Sequence, residues 1–263
     1  TVVLLFYEAS TRTRLSFEIA AKRLSADTVA ISQSGSSFEK GETMLDAAKN
    51  IMAMNPDCIV IRYPFAGTVA RLARLMPCSL INAGDGFHEH PTQALLDMYS
   101  MREHFGTLAG LHVVMVGDIR HSRVARSNAY GLTKMGARVT LVAPQTLLPP
   151  GVATWGVDVS TAFDPVIPSA DVIMMLRVQK ERIAEHLFSG DREYASFYGL
   201  NQQRMQHMKR HAVIMHPGPM NRGVEINHDT ADCPRAIILN QVENGVAIRM
   251  TLLYLCLGGT NVD

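Results

Sequence analysis

The sequence has no apolar run approaching the roughly 20 residues that a membrane-spanning helix needs. Its longest, such as Val172 to Leu176 and Leu252 to Leu257, stop far short, so no membrane segment is expected. Neither sign of charge is in excess: Lys plus Arg number 25 against 24 Asp plus Glu. Anions must therefore be bound by locally clustered cations, and a nucleic-acid partner is not indicated. There is no C-x-x-C pair. Cys58, Cys78, Cys233 and Cys256 are scattered, three of them in apolar stretches, which fits small buried thiols in a reducing, cytoplasmic compartment. Internal repeats and low-complexity tracts are lacking too. No charged-then-apolar leader is present, and the chain opens at Thr1 directly on the run Val2 to Phe6, so a preceding segment is expected.

What is present is enough apolar material for large cores, with 47% hydrophobic residues in 263. Short apolar segments alternate with longer segments of helical period, the pattern of βαβ units around parallel sheets. A first series has strands expected at 2–7, 28–32, 58–62 and 79–82, and helices at 14–24, 42–54 and 68–76, with a further helix at 92–104. Gly106 and Gly110 punctuate the chain. A second series has strands expected at 112–116, 138–142, 172–176 and 213–216. Residues 242–257 have helical spacing and return to the first domain. The expected organisation is α/β with two domains, each a parallel sheet flanked by helices: residues 1–105 with 241–263, and residues 106–240.

Ser10, Thr11, Arg12, Thr13 and Arg14 follow a strand and open a helix, so free backbone N–H groups, hydroxyls and a guanidinium converge where an anion binds. The plainer reading makes Ser10 or Thr11 a helix N-cap and the arginines a solvated face. Ser36 and Lys40 put a hydroxyl and an ammonium in a loop before a helix. His90, Pro91, Thr92 and Gln93 sit at the start of a helix after a strand, where His90 and Gln93 can face the crevice at the carboxyl end of the sheet. His88 and His90 form an H-x-H pair, but no third ligand lies nearby in the sequence and no metal is expected. His88 is read as a surface loop residue.

With S-T-R-T-R at 10–14, K-G-E at 40–42, H-P-T-Q at 90–93, R-V-Q-K-E-R at 177–182 and H-P-G-P at 216–219, the chain resembles the aspartate carbamoyltransferase catalytic chains from end to end. S-T-R-T-R belongs to carbamoyltransferases in general, whereas Arg177-Val178-Gln179 discriminates. An ornithine-specific chain is expected to carry S-M-G, and H-C-L-P in place of His216-Pro217-Gly218-Pro219. Arginine at 177 also suits a dicarboxylate on physical grounds, since a guanidinium binds carboxylate through two charge-assisted hydrogen bonds and repels an ammonium. The resemblance implies helices ahead of Val2 that this sequence does not contain.

It further implies transfer of the carbamoyl group of carbamoyl phosphate to the amino group of L-aspartate, in pyrimidine biosynthesis, with no cofactor and no protein nucleophile. Ser10, Thr11, Arg12 and Thr13 match phosphate contacts, and Arg62 matches an arginine bridging phosphate and carbonyl oxygen. His90 and Thr13 correspond to donors to that carbonyl, and Gln93 to the group holding the carbamoyl amide. Arg123, Arg177 and Gln179 correspond to aspartate contacts, with Pro217, Gly218 and Pro219 forming a substrate loop whose Gly218-Pro219 bond is expected to be cis. Glu8 and Glu181 are expected to orient arginines, and Arg120 and Arg126 to be solvated. Ser36 and Lys40 are expected to reach the neighbouring site of a homotrimer, and a dihydroorotase or a regulatory chain is a possible partner.

Two other classes fit parts of the sequence. A scaffold-only copy would have lost site residues, yet every matched position is intact. A nicotinamide-dependent dehydrogenase would have a strand running into glycine, as 112–116 runs into Gly117, but the full G-x-G-x-x-G is missing.

Overall fold

The computed structural model describes residues 1–32, 43–178 and 190–258. In chain order the elements are β1 (Val2–Phe6), α1 (Thr11–Arg23), β2 (Thr28–Ser32), α2 (Met44–Met52), β3 (Cys58–Tyr63), α3 (Thr68–Ala73), β4 (Ser79–Asp85) and α4 (Pro91–Phe105). They continue with β5 (His112–Val116), α5 (Arg123–Lys134), β6 (Arg138–Val142), β7 (Asp158–Ser160), β8 (Val172–Met175), α6 (Asp191–Tyr198), α7 (Gln202–Met205), β9 (Val213–Met215), α8 (His228–Ala231) and α9 (Ile238–Cys256). The chain packs as two compact units, residues 1–92 with 243–263 and residues 93–242.

This division by packing assigns α4 from Gln93 onward to the second unit, where the expected boundary was 105/106, and its second boundary lies two residues from the expected 240/241. Gly106 ends the helix α4, but α4 packs its Met101 into the same apolar cluster as Val113 and Met115 of the second sheet. The glycine marks where a helix stops, which is a different thing from where a core stops.

The first unit holds a four-stranded parallel sheet in the order β2-β1-β3-β4. Every residue of β1 is buried, because both faces are covered. Val2, Leu4 and Phe6 pack with Phe17, Ala20 and Ala21 of α1 and Leu253 of α9. Val3 and Leu5 face the opposite way, against Met44, Ala48 and Ile51 of α2 and Val69 and Leu72 of α3. Cys58 lies in the first of these clusters, and burial pushes its thiol up to about 12, so it behaves as a small apolar core residue.

The second unit holds a five-stranded parallel sheet in the order β7-β6-β5-β8-β9. Val113 and Met115 face one cluster with Leu132, Leu141 and Met174, while Val114 and Val116 face the other with Phe163, Ile173 and Ile214. The edge strand β7 was not foreseen; it is three residues long and exposed on two of them, so it lacks the apolar run that marks the others. No described helix is long and apolar enough to cross a membrane.

At the amino ends of the second sheet, Asp171 ties three segments together. Its Oδ2 accepts the His112 backbone N–H at 2.8 Å, and its Oδ1 receives Lys209 Nζ at 2.7 Å and contacts His211 Nε2 at 2.9 Å. Burial by itself would raise the Asp171 carboxyl, but Lys209, the His112 N–H and His211 together hold it at about 2. A carboxyl depressed in the folded state stabilises above its unfolded value of 3.8 and loses that contribution as pH falls toward 2. Between pH 5 and pH 2 the wild type should therefore lose on the order of 1–2 kcal/mol more stability than Asp171→Asn. Urea denaturation at each pH measures this, and parallel curves for the two proteins would contradict it.

Candidate active site

Both sheets have a switch point, where the chain leaves one central strand to build outward on one side and later returns to build on the other. In the first sheet it lies between β1 and β3, and in the second between β5 and β8. Loops at the carboxyl ends of such strand pairs diverge and leave a crevice, the usual ligand position in open α/β sheets. Arg12, Arg62, Arg123 and Arg177 stand at these two places.

In the first unit, β1 leads to Ser10, which caps α1 with extended backbone and a side-chain oxygen that accepts the Thr13 N–H at 3.4 Å. The plain N-cap reading of Ser10 therefore holds, and it is compatible with the functional one. The cap uses a lone pair and leaves the hydroxyl proton free to serve an anion. Thr11 and Arg12 are exposed in the first turn, and Thr13 is buried beneath them. The first turn of α1 has no acidic residue of its own, so nothing within the helix compensates the positive end of its dipole.

Arg62 lies on the neighbouring strand β3, where the pairing with β4 shifts register between Ile61 and Tyr63. This irregularity sits at the arginine itself, as bulges beside functional sites commonly do. Arg62 Nη2 meets Glu8 Oε1 at 2.8 Å and Nη1 donates to the Ala83 carbonyl at 3.3 Å, so a largely buried guanidinium is fixed from two sides. Glu8 thus does what was expected of it.

His90 is buried just ahead of α4. The turn before it is built around Asp85, whose side chain accepts the Gly67 N–H at 2.8 Å and the Glu89 N–H at 3.0 Å, and also receives Asn82 Nδ2 at 3.1 Å. Asp85 escaped the sequence reading, because its partners lie up to 18 residues away and no local motif announces them. His88 is half-buried and lies 3.2 Å from Asp85 through Nδ1. No group of three or more His, Cys, Asp or Glu side chains is placed to hold a metal ion among the described residues.

In the second unit, the loop after β5 is shaped by Asp118, which accepts the His121 N–H at 3.1 Å and contacts its ring at 2.9 Å. Ser122 then caps α5 by accepting the Ala125 N–H at 3.1 Å, and Arg123 follows as a buried first-turn residue. Arg177 stands two residues beyond β8, the strand that pairs directly with β5. Arg120 is exposed, as expected. Arg126 is a correction: it is not a solvated cation but lies over the Trp155 ring at 5.3 Å and the Tyr130 ring at 5.5 Å. Tyr130 is its i+4 neighbour on α5, and Trp155 arrives from a distant turn that spacing does not reveal.

The loop from His216 to Pro219 follows β9, and its Gly218-Pro219 bond is cis. His216 is buried; its Nδ1 accepts the Gly218 N–H at 2.8 Å, leaving Nε2 to face Glu225 at 3.2 Å. Asn221 Nδ2 donates to the Val178 carbonyl at 3.2 Å, so this loop is tied to the segment that carries Arg177. Glu225 was also missed from sequence. Ser36, Lys40, Gln179 and Glu181 lie outside the described residues.

Arginines, hydroxyls and helix N-termini gathered beyond the carboxyl ends of the strands at each switch point are the arrangement of an α/β protein that binds small anions. Residues 1–103 match the carbamoyl-P binding domain of the aspartate/ornithine carbamoyltransferases, and residues 109–256 match their Asp/Orn binding domain. The chain belongs to the aspartate/ornithine carbamoyltransferase family. Its relatives include the aspartate carbamoyltransferase catalytic subunit of Syntrophobacter fumaroxidans, 58% identical over 255 residues, which are 97% of this chain and 84% of that one. The same subunit of Geobacter sulfurreducens is 58% identical over 98% of this chain and 84% of its own length. Among solved structures, aspartate transcarbamoylase from Trypanosoma cruzi in complex with carbamoyl phosphate and aspartate is 31% identical with a TM-score of 0.85, covering 96% of this chain and 83% of that one. Ornithine carbamoyltransferase from Thermus thermophilus is 26% identical with a TM-score of 0.86, over 97% and 85% of the respective chains.

Gly117 shows how tightly the two strand ends of the second crevice meet. Its φ is +146°, and a Cβ there would lie 2.6 Å from the Leu176 carbonyl oxygen, next to Arg177. Gly106 also has positive φ, +79°, but open space around it. Gly117→Ala should cost about 1–3 kcal/mol more than Gly106→Ala, because only the first adds a steric clash to the backbone strain. Equal losses in chemical denaturation would contradict the close approach.

Proposed function

We propose that this chain is an aspartate carbamoyltransferase catalytic chain, joining carbamoyl phosphate and L-aspartate to give N-carbamoyl-L-aspartate and phosphate. The observation that carries the reading is the pair Arg123 and Arg177 at the carboxyl ends of adjacent strands β5 and β8. Two guanidinium groups beside one switch point match a substrate with two carboxylates and repel the side-chain ammonium of ornithine. The overall fold does not decide this, since the Trypanosoma and Thermus enzymes match it about equally well.

In this reading residues 10–13, Arg62 and His90 bind the phosphate and carbonyl of carbamoyl phosphate, and Gln93 binds its amide. Ser10, Thr11, Arg12 and Thr13 take the phosphate at the N-terminus of α1, and Arg62 spans phosphate and carbonyl oxygen. His90 and Thr13 donate to that oxygen, and Gln93 accepts from the carbamoyl NH2. The unprotonated amino group of aspartate attacks the carbamoyl carbon, a tetrahedral oxyanion forms, and phosphate departs with the electron pair of the broken C–O bond and takes up the proton that the attacking nitrogen loses. No protein nucleophile takes part. The rate comes from holding two anions in attack geometry and from donors preorganised for the oxyanion, effects worth about 3–10 kcal/mol each.

Arg123, Arg177 and Gln179 hold aspartate, and the Pro217–Pro219 backbone orients its amine. Ser36 and Lys40 come from the neighbouring chain of a cyclic homotrimer, so the catalytic set of Arg12, Thr13, Arg62, His90 and Lys40 is composite. The enzyme acts in the cytoplasm in pyrimidine biosynthesis, alone or beside a dihydroorotase or regulatory chain.

Arg177→Ala tests the division of labour. It should raise the KM for aspartate at least a hundredfold while carbamoyl phosphate affinity stays within about threefold, since a bidentate carboxylate contact is worth about 3 kcal/mol. Separate titrations of the two ligands measure both, and an equal collapse of carbamoyl phosphate binding would contradict the reading.

A further inference from the structure

Asp97 lies on α4 with no exposed surface, and three side-chain amides converge on it. Gln93 Nε2 and Gln241 Nε2 donate to its Oδ1 at 2.9 and 2.7 Å, and Asn128 Nδ2 donates to its Oδ2 at 2.8 Å. All three groups are donors, so the carboxyl serves as an acceptor on both oxygens. A primary amide has two ends of nearly equal shape and opposite hydrogen-bonding sense, and rotation of its terminal torsion exchanges them at little steric cost. Binding the NH2 end of each amide to Asp97 fixes where the carbonyl end goes.

For Gln241 the carbonyl end is spoken for: its Oε1 accepts the His216 backbone N–H at 2.9 Å, at the head of the 216–219 loop. Asn128 sits on α5, the helix whose first residue is Arg123, and is buried between Asp97 and the Val124 carbonyl. For Gln93 the NH2 end is held by Asp97, which leaves Oε1 as an acceptor. A carbamoyl NH2 is a donor and needs such an acceptor. Turned round, Gln93 would oppose donor to donor.

We propose that Asp97 is a positioning residue that fixes the amide sense of Gln93 toward the carbamoyl group and, through Gln241, anchors the 216–219 loop. The inference rests on the reading that Gln93 holds the carbamoyl amide, and it names a residue that contacts no substrate. Asp97→Asn is nearly isosteric but presents an NH2 where the native residue only accepts, so at least one amide must turn round or lose its bond.

The test uses the purified full chain in its native assembly and two probes: phosphonoacetamide, which carries the carbamoyl-like amide, and inorganic phosphate, which does not. Asp97→Asn should weaken phosphonoacetamide about tenfold and leave phosphate within about twofold, because the phosphate contacts are assigned to residues 10–13. In a Gln93→Ala background the same change should alter the ratio of the two affinities no further. A role in packing alone would weaken both probes together or neither, and either result overturns the proposal.

Should Asp97→Asn fail to fold, Gln241→Met decides, since it cuts the link to His216 while leaving Gln93 on Asp97. It should raise the KM for aspartate about fivefold with the probe ratio unchanged, and an unchanged KM overturns the anchoring role. If Gln93→Ala binds phosphonoacetamide as well as the wild type, the assignment of Gln93 has failed and the inference falls with it. If Gln93→Ala loses affinity and Asp97→Asn does not, the inference alone has failed.

Discussion

A guanidinium that must bind an anion from a partly buried position needs partners that make the burial tolerable and fix its plane. For Arg62 these include a carboxylate and a carbonyl: Glu8 takes Nη2 and Ala83 takes Nη1, which fixes the plane of the fork. Both supports come from strand ends of the first sheet, β1 and β4 lying on either side of β3. The arrangement is possible only because a parallel sheet brings several carboxyl ends to one edge. Arg123 uses a different device, a capped helix start, and is buried at the carboxyl end of the second sheet. Withdrawal from water strengthens each charge's pull on a ligand, and the surrounding fold supplies the support that makes withdrawal tolerable.

Much of this was legible in the sequence, because the strands that carry it are continuous apolar runs and the functional groups follow them directly. The central strands β1, β3, β5 and β8 begin at the residues expected, and the Ser10 to Thr13 turn and Arg62 lie where the strand ends put them. α1 starts at Thr11, three residues before the expected Arg14, because Ser10 caps it and a cap is set by one hydrogen bond that periodicity does not register. β4 runs on to Asp85, past the expected end at Asn82, through Ala83 and Gly84, residues with no strand signature of their own.

What could not be read is the set of buried acceptors that hold the site together. Asp85, Asp97 and Glu225 are carboxylates with almost no exposure, and each organises backbone or amide donors beside a residue the sequence did point to: His90, Gln93 and His216. Their partners range from 3 to 144 residues away, and a lone acidic residue in an amphipathic segment looks like a solvated face. Arg126 was misjudged for the same reason, since the ring of Trp155 that covers it comes from outside the helix. Motifs record the groups that touch ligands. The groups that aim them are recorded only in three dimensions.

The central claim concerns which amine receives the carbamoyl group, because the fold is shared by enzymes acting on different acceptors. Purified protein given carbamoyl phosphate with L-aspartate or with L-ornithine at equal concentration separates them, with the products resolved chromatographically. Arginines beside both strand ends of the second crevice predict N-carbamoyl-L-aspartate with matching release of phosphate, and no carbamoylation of ornithine above the uncatalysed background. Citrulline as the favoured product would contradict the account.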